Sequence, residues 1–314
     1  MTEAVIYGGM RRIFVGLRVW LRALRPESFP VSVVPAILGI AIAWQRGYRI
    51  DPLTSALTIA GALSIHSATN LLQDYFDFAS GLDREGTLGG SGVLVSGSLA
   101  PRAILTASLV LYAVSAIVAG YLIYASGILL VWIALAGCVA GTLYAVPRYG
   151  LKYNMLGDAG VFAAFGVGIT LGSYSIQAGS MSAYPLIYAM PFGLIVVAVL
   201  HANNMRDAKD DFEAGLKNPA YRMGPRASRS VYVALTAGAY LIPTAAVFAG
   251  AIPRGALAVL VTFPLALKLM RAQMGAELGD GAVLAPLVTR TALLALAFGT
   301  AMVCGIFLFG VVGG

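Results

Sequence analysis

Residues 201–218 read HANNMRDAKDDFEAGLKN and follow an uncharged run, 184–200 (YPLIYAMPFGLIVVAVL). The chain has 14 Asp and Glu in all, yet Asp207, Asp210, Asp211 and Glu213 crowd together at the end of that apolar segment. Acids in this position are either solvated at a helix end or gathered for a purpose. The apolar run before them decides the fold class, because a segment of that length and character is built to cross a bilayer.

The rest of the chain agrees. With 59% hydrophobic and 11% charged residues over 314 positions, and a mean hydropathy of +0.83, it carries far more apolar surface than a soluble domain uses. Backbone polar groups inside a bilayer must be satisfied within the segment, so the expectation is an all-α, multi-pass membrane bundle. About nine stretches are long enough to span: roughly 29–45, 53–72, 102–124, 127–146, 156–177, 184–204, 231–251, 253–270 and 289–311. The chain reads as one membrane unit over 1–314. Its first 25 residues form a basic amphipathic segment with Arg11, Arg12, Arg18, Arg22 and Arg25, suited to an anionic leaflet. That segment has no apolar core or cleavage site of a signal peptide. Cys138 and Cys304 fall inside apolar stretches and read as small buried hydrophobes.

Nine spans with the N-terminus inside put all but Arg46, Arg49 and Arg254 of the 21 Lys and Arg on the cytoplasmic side, as the positive-inside rule requires. The C-terminus then lies outside. The acids follow, although no rule demands it: only Asp51 falls in an outer loop. The chemistry is therefore expected at the cytoplasmic face of the cell membrane.

A second acidic stretch resembles the first. SATNLLQDYFDFASGLD (67–83) aligns with HANNMRDAKDDFEAGLK (201–217). Asn70 matches Asn203, Asp74 matches Asp207, and after a one-residue insertion Asp77, Gly81 and Leu82 match Asp211, Gly215 and Leu216. At about 100° per residue, Asn70, Asp74 and Asp77 share one helix face, and a continuous helix would place Asn203, Asp207 and Asp211 on another. Stacked carboxylates at a membrane boundary repel each other unless a proton or cation is shared. Oxygen donors without His or Cys select a hard ion, and few carboxylates completed by phosphate and water suit Mg²⁺. Two such helices facing each other hold Mg²⁺ against a common anion, for which a diphosphate is the natural candidate. One motif alone would read as a solvated helix end; two matching ones favour a site.

The motifs NxxxDxxD (Asn70, Asp74, Asp77) and NNxRDxxxDxxxGxK (Asn203, Asn204, Arg206, Asp207, Asp211, Gly215, Lys217) resemble those of the UbiA superfamily of intramembrane aromatic prenyltransferases. NLLQDYFDFASGLD, with Gly81 and Asp83, is similar to the MenA branch, the 1,4-dihydroxy-2-naphthoate polyprenyltransferases, as are YRMGPRASRSVY (221–232) and YNMLGDAGVFAAFGVGITLGSYSIQ (153–177). Asp158 stands where that branch more often has Glu.

The resemblance implies a helix bundle around a central cavity, with Mg²⁺ held by Asp74, Asp77, Asp207 and Asp211 as the cofactor. It implies a polyprenyl diphosphate donor bound by Asn70, Asn203, Asn204, Arg206 and Lys152, an aromatic acceptor, and an isoprenoid tail in an apolar tunnel open to membrane lipids. Lys152, Arg148, Tyr149 and Asp83 are the candidate catalytic residues. Tyr149 or Tyr153 faces the allylic cation with its ring or anchors the interface. His66 shares the Asp face, and His201 packs against a neighbour. Gly81 and Gly215 are expected to end their helices in left-handed conformations, with the polar loops 82–100 and 216–229 as lids. Two rival readings stay open: the same transfer to 4-hydroxybenzoate, homogentisate or a glycerophosphate lipid, and a secondary transporter. The acids gather at one membrane face instead of mid-span, which argues against a carrier. No nucleic acid and no obligate protein partner is read.

Overall fold

The computed structural model describes residues 16–128, 130–146 and 149–309. Arg148, residues 1–15 of the basic arm and the C-terminal residues 310–314 lie outside them. Among the described residues every regular element is helical. A short helix α1 (16–24) leads into α2 (Pro30–Gln45), α3 (Pro52–Ala79), α4 (Pro101–Ser126) and α5 (Leu130–Ala145). Then come α6 (Gly157–Ala178), α7 (Leu186–Arg206), the short α8 (Ala208–Glu213), α9 (Pro219–Phe248), α10 (Arg254–Gly275) and α11 (Gly281–Phe309).

Helices fall at each of the nine expected ranges, and several start with proline, whose missing N–H costs nothing at a first helical position. Asp51 caps α3 by accepting from the Thr54 amide at 2.7 Å. Six helices, α4, α6, α7, α9, α10 and α11, are each long and apolar enough to cross a membrane, and α1 with α2, bent by 55°, adds a seventh. α3 and α5 are not among them: α3 is interspersed with Ser, Thr, His66 and Asn70, and α5 is short. The protein is a multi-pass membrane protein; the count of nine spans is not fixed by these helices.

The bundle pairs α3 with α4, α7 with α9 and α11, and α2 with α6. Helices in lipid gain little from apolar burial and approach closely through small residues instead. A Cβ on Gly166 of α6 would lie 2.5 Å from the Gly193 Cα of α7, so only glycine permits this contact. The middle of α6, Phe162–Gly168, is a π-helix, a rare local widening that recurs at functional sites. Cys138 and Cys304 are both on the outer surface of the bundle, contrary to the expectation of burial; in an apolar solvent a thiol has no reason to avoid that surface.

Gly166→Val should force α6 from α7 and lower the unfolding midpoint in detergent, by a destabilisation of about 1–3 kcal/mol. Gly120→Val, on the exposed face of α4 with nothing within 4 Å, should leave it unchanged. Equal effects would contradict the packing described.

Candidate active site

Each acidic motif ends its helix in the same way. Gly81 has φ 75° and Gly215 has φ 77°, and Leu82 and Leu216 donate back to the carbonyls of Asp77 (2.9 Å) and Asp211 (2.8 Å). These are matching Schellman turns, as the glycine positions predict. The faces differ between the copies. Asn70, Asp74 and Asp77 share the inward face of α3, with Asp74 and Asp77 each only 2% exposed. The second motif does not lie on one continuous helix. The backbone bends at Asp207 (φ −87°, ψ 1°), which separates α7 from α8. At this bend Arg206 donates twice to Asp207, from Nε at 2.6 Å and Nη2 at 2.7 Å. Adjacent side chains diverge on a regular helix, so this pair forms only where the backbone breaks.

A chamber of about 420 Å³ is lined by Asn203, Asp207 and Asp211 of the second motif and, from the first stretch, by Gln73, Leu82 and Asp83, together with Arg25 and Lys152; Asp74 and Asp77 lie buried behind those two cations. Asp74 accepts from Arg25 and, at 3.3 Å, from the Ser91 amide. Asp77 accepts from Lys152 Nζ at 2.8 Å, the Tyr153 hydroxyl at 3.1 Å and Gln73 Nε2 at 3.3 Å. Asp211 accepts from Asn218 Nδ2 at 2.7 Å. Burial would pull Lys152 down, but Asp77, and more distantly Asp211, hold its ammonium above its ordinary range. Burial raises Asp211, partly offset by the Asn218 hydrogen bond. Burial, and then the charges of Asp77 and Asp74, push Asp83 up to about 6. Among the described residues no three acidic, His or Cys side chains converge as a ready-made metal cage.

The other site residues sort themselves by contact. Asn203 and Asn204 both line the chamber, and the Asn204 amide also donates to Asp158 Oδ1 at 3.1 Å on α6. Asn70 donates to the Leu24 carbonyl and Ser28 Oγ. Tyr149 is 83% exposed and is not among the residues that line the chamber, whereas past the turn through Gly150 and Leu151 its neighbours Lys152 and Tyr153 both reach Asp77. His66 is held by Ser32 Oγ at 2.6 Å and Ser28 Oγ at 3.2 Å. His201 packs between Ser228 O (3.0 Å from Nε2) and Asp158 (3.6 Å from Nδ1).

The loop 82–100 lines the chamber through Asp83, Thr87, Leu88, Gly89 and Gly90. Gly89 accepts from Arg25 at 3.2 Å, a Cβ on Gly90 would collide with Asp83, and Arg84 reaches Glu213 of α8 at 3.2 Å. Residues 216–229 are not a loop beyond Asn218. Asn218 caps α9, accepting from the Tyr221 amide at 3.1 Å, Pro219 opens the helix, and Gly224 (φ 77°) kinks it. Arg222 is exposed and meets Met155 Sδ at 3.3 Å.

Arg25 was singled out only as part of the basic arm. It sits at the elbow between α1 and α2 with φ 55°, a conformation uncommon outside glycine, and Pro26 after it is the one sequence sign that a helix stops there.

From the charged chamber a path leads inward. A second chamber of about 250 Å³ shares Ser28, Gln73, Tyr144, Leu200 and Asn203 with the first and adds His66, Thr69 and Asn70. A third, of about 430 Å³, shares Ala62, Ile65, Gly137, Ala140, Ala164 and Ile169 with the second and is bounded by α3, α4, α5 and α6 with no charged residue in its wall. Trp132, in its wall, is 70% exposed, so this chamber borders the surface that lipid covers.

A helical membrane bundle whose acidic and basic side chains meet at one end of a passage, with an apolar compartment at the other, defines a membrane-embedded site with one charged and one apolar end. The chain belongs to the UbiA prenyltransferase family, which matches residues 32–278, and it is a prenyltransferase. It is 35% identical over 227 residues, 72% of this chain and 67% of the relative, to UbiA prenyltransferase domain-containing protein 1 of Rattus norvegicus. To the Homo sapiens protein of that name it is 33% identical over 258 residues, 80% of this chain and 74% of the relative. It is 29% identical to a 1,4-dihydroxy-2-naphthoate octaprenyltransferase of Bacillus subtilis over 237 residues, 76% of each. A UbiA homologue from Archaeoglobus fulgidus solved with GPP and Mg²⁺ shares the fold at TM-score 0.63 and 18% identity, over 91% of this chain and 99% of that one.

A carboxyl whose folded pKa is raised adds stability below its unfolded value, near 3.9, and that stability is lost as pH rises through the folded value, here about 6. In chelator, Asp83→Asn should therefore raise the unfolding midpoint above pH 6 and leave it nearly unchanged near pH 4. The same gain at pH 4 and pH 8 would contradict the assignment.

Proposed function

We propose that the protein transfers a polyprenyl group from a polyprenyl diphosphate to 1,4-dihydroxy-2-naphthoate, with Mg²⁺ as cofactor, releasing diphosphate and CO₂. The observation that carries the reading is the graded passage from the charged chamber to the apolar one. A diphosphate headgroup matches the first, where Lys152, Arg25 and Arg206 surround the carboxylates, and an isoprenoid tail matches the third. The donor set fits Mg²⁺: it is oxygen-only and clustered, and burial makes one of its carboxyls, Asp211, hold its proton more strongly than usual. Asp74, Asp77, Asp207 and Asp211 would hold the ions, exchanging protein cations for them. Bound there, Mg²⁺ stabilises negative charge on the leaving diphosphate.

The chain's own residues supply the rest. Lys152, between Asp77 and Asp211, is placed to neutralise the diphosphate as the allylic C–O bond breaks and its electron pair leaves with oxygen. Asn203, at the junction of the charged and middle chambers, and Asn70, in the wall of the middle one, would orient the headgroup. The middle chamber, walled by His66, Thr69, Phe165 and Tyr144, would seat the aromatic ring beside the allylic carbon and exclude water from the cation. A bond from the ring to that carbon then forms, and the carboxyl group leaves as CO₂. The naphthoate acceptor is supported by the DYxD and GxD pattern at Asp74–Asp83 and by the Bacillus subtilis relative. The basic residues on the chamber side favour a cytoplasmic mouth in the cell membrane.

Purified protein with Mg²⁺, geranylgeranyl diphosphate and a panel of acceptors should prenylate dihydroxynaphthoate and release CO₂; turnover of 4-hydroxybenzoate alone would refute the acceptor and keep the transfer. Asp74→Ala and Asp211→Ala should each lower kcat at least about 100-fold, as losing a principal electrostatic group does, and retained turnover in both would remove their role.

A further inference from the structure

Of the four motif carboxylates, three stand against cations: Asp74 with Arg25, Asp77 with Lys152, Asp207 with Arg206. For Asp211 no basic side chain among the described residues lies within ion-pair distance, and its partner is the neutral amide of Asn218. Asn218 is 3% exposed and uses every polar atom of its side chain. Nδ2 donates to Asp211 Oδ2 at 2.7 Å and to the Asn204 carbonyl near the end of α7 at 2.8 Å, and Oδ1 accepts from the Tyr221 amide in the first turn of α9 at 3.1 Å. The orientation of this amide is fixed by its surroundings: a carboxylate and a carbonyl only accept, and a backbone N–H only donates. No other short side chain fills all three roles. Ser and Thr have one donor, and Asp has none.

We propose that Asn218 is a positioning residue for the second motif: it clamps one oxygen of Asp211 and ties it to the ends of α7 and α9, so that Asp211 meets the cation already oriented. This rests on the reading that Asp211 is a metal ligand. A neutral clamp leaves the full negative charge of the carboxylate available, whereas the other three must first give up a protein cation. It also spans the bend at Asp207, adding a side-chain tie to the backbone hydrogen bonds from Asp207 N–H to Asn203 O (2.9 Å) and from Asp211 N–H to Asp207 O (2.8 Å).

The test separates this role from helix capping. Asn218→Ser and Asn218→Thr keep a side-chain acceptor at the N-cap but lose the clamp. Full-length protein in detergent is unfolded thermally in chelator and then in rising Mg²⁺ with inorganic diphosphate. The midpoint in chelator should change little, while half-saturating Mg²⁺ for the stabilising shift should rise about 10- to 100-fold, the range for loss of a ligand's outer partner. In an Asp211→Asn background, Asn218→Ser should change the Mg²⁺ response no further. An unchanged Mg²⁺ response in both variants, an additive effect in the Asp211→Asn background, or loss of folded protein in chelator for both would overturn the proposal, the last by assigning Asn218 to the cap. A wild-type protein without any Mg²⁺ shift would instead bring down the metal reading itself, and the proposal with it.

Discussion

Negative charge held at the edge of an apolar medium is the constraint around which this molecule is arranged. Carboxylates from two halves of the chain converge where water is scarce, and each must be compensated. The compensation goes with local structure: Arg206 pairs with Asp207 where the backbone bends, Lys152 and Tyr153 turn inward to Asp77, and Arg25 reaches Asp74 from a left-handed elbow. Ion pairs of this kind contribute little net stability once desolvation is counted. Their significance lies in what they can release, since a divalent cation and a diphosphate together offer the same carboxylates and cations better partners.

The duplication explains why the site has two sides and why the sides differ. Both copies end in a Schellman turn, yet the first copy runs along an unbroken α3 while the second is split between α7 and α8. One side is a continuous wall, and the other is hinged and clamped by Asn218. The passage from charged to apolar chambers then follows from helix composition, because the same α3 that carries Asp77 near its end presents Ala62 and Ile65 about three to four turns deeper.

Much of this could be read from residue order. Helix ranges followed from uninterrupted apolar runs, the Asp face of α3 from periodicity, and the left-handed turns from Gly81 and Gly215, each because the cause is local. What escaped depends on contacts between distant residues or on competition between neighbours. Periodicity assumed a regular helix through Asp207 and could not register the bend there. Tyr149 and Tyr153 are equivalent by composition, and only the turn geometry between them selects Tyr153. The stretch 216–229 reads as polar and therefore loop-like, although Asn218-Pro219 is a strong helix start. Arg25 is one arginine among five in a basic arm until the fold brings it onto Asp74.

The central claim, that both motifs hold divalent ions jointly with one diphosphate, is tested most directly by counting Mn²⁺ bound to the purified protein by electron paramagnetic resonance, with and without a non-hydrolysable prenyl diphosphate analogue. The account predicts that the analogue increases Mn²⁺ binding, and that neutralising either side alone, with Asp74→Asn or with Asp207→Asn, abolishes the increase. Undiminished analogue-dependent binding after either substitution would show that the two sides act separately, and the account would be wrong.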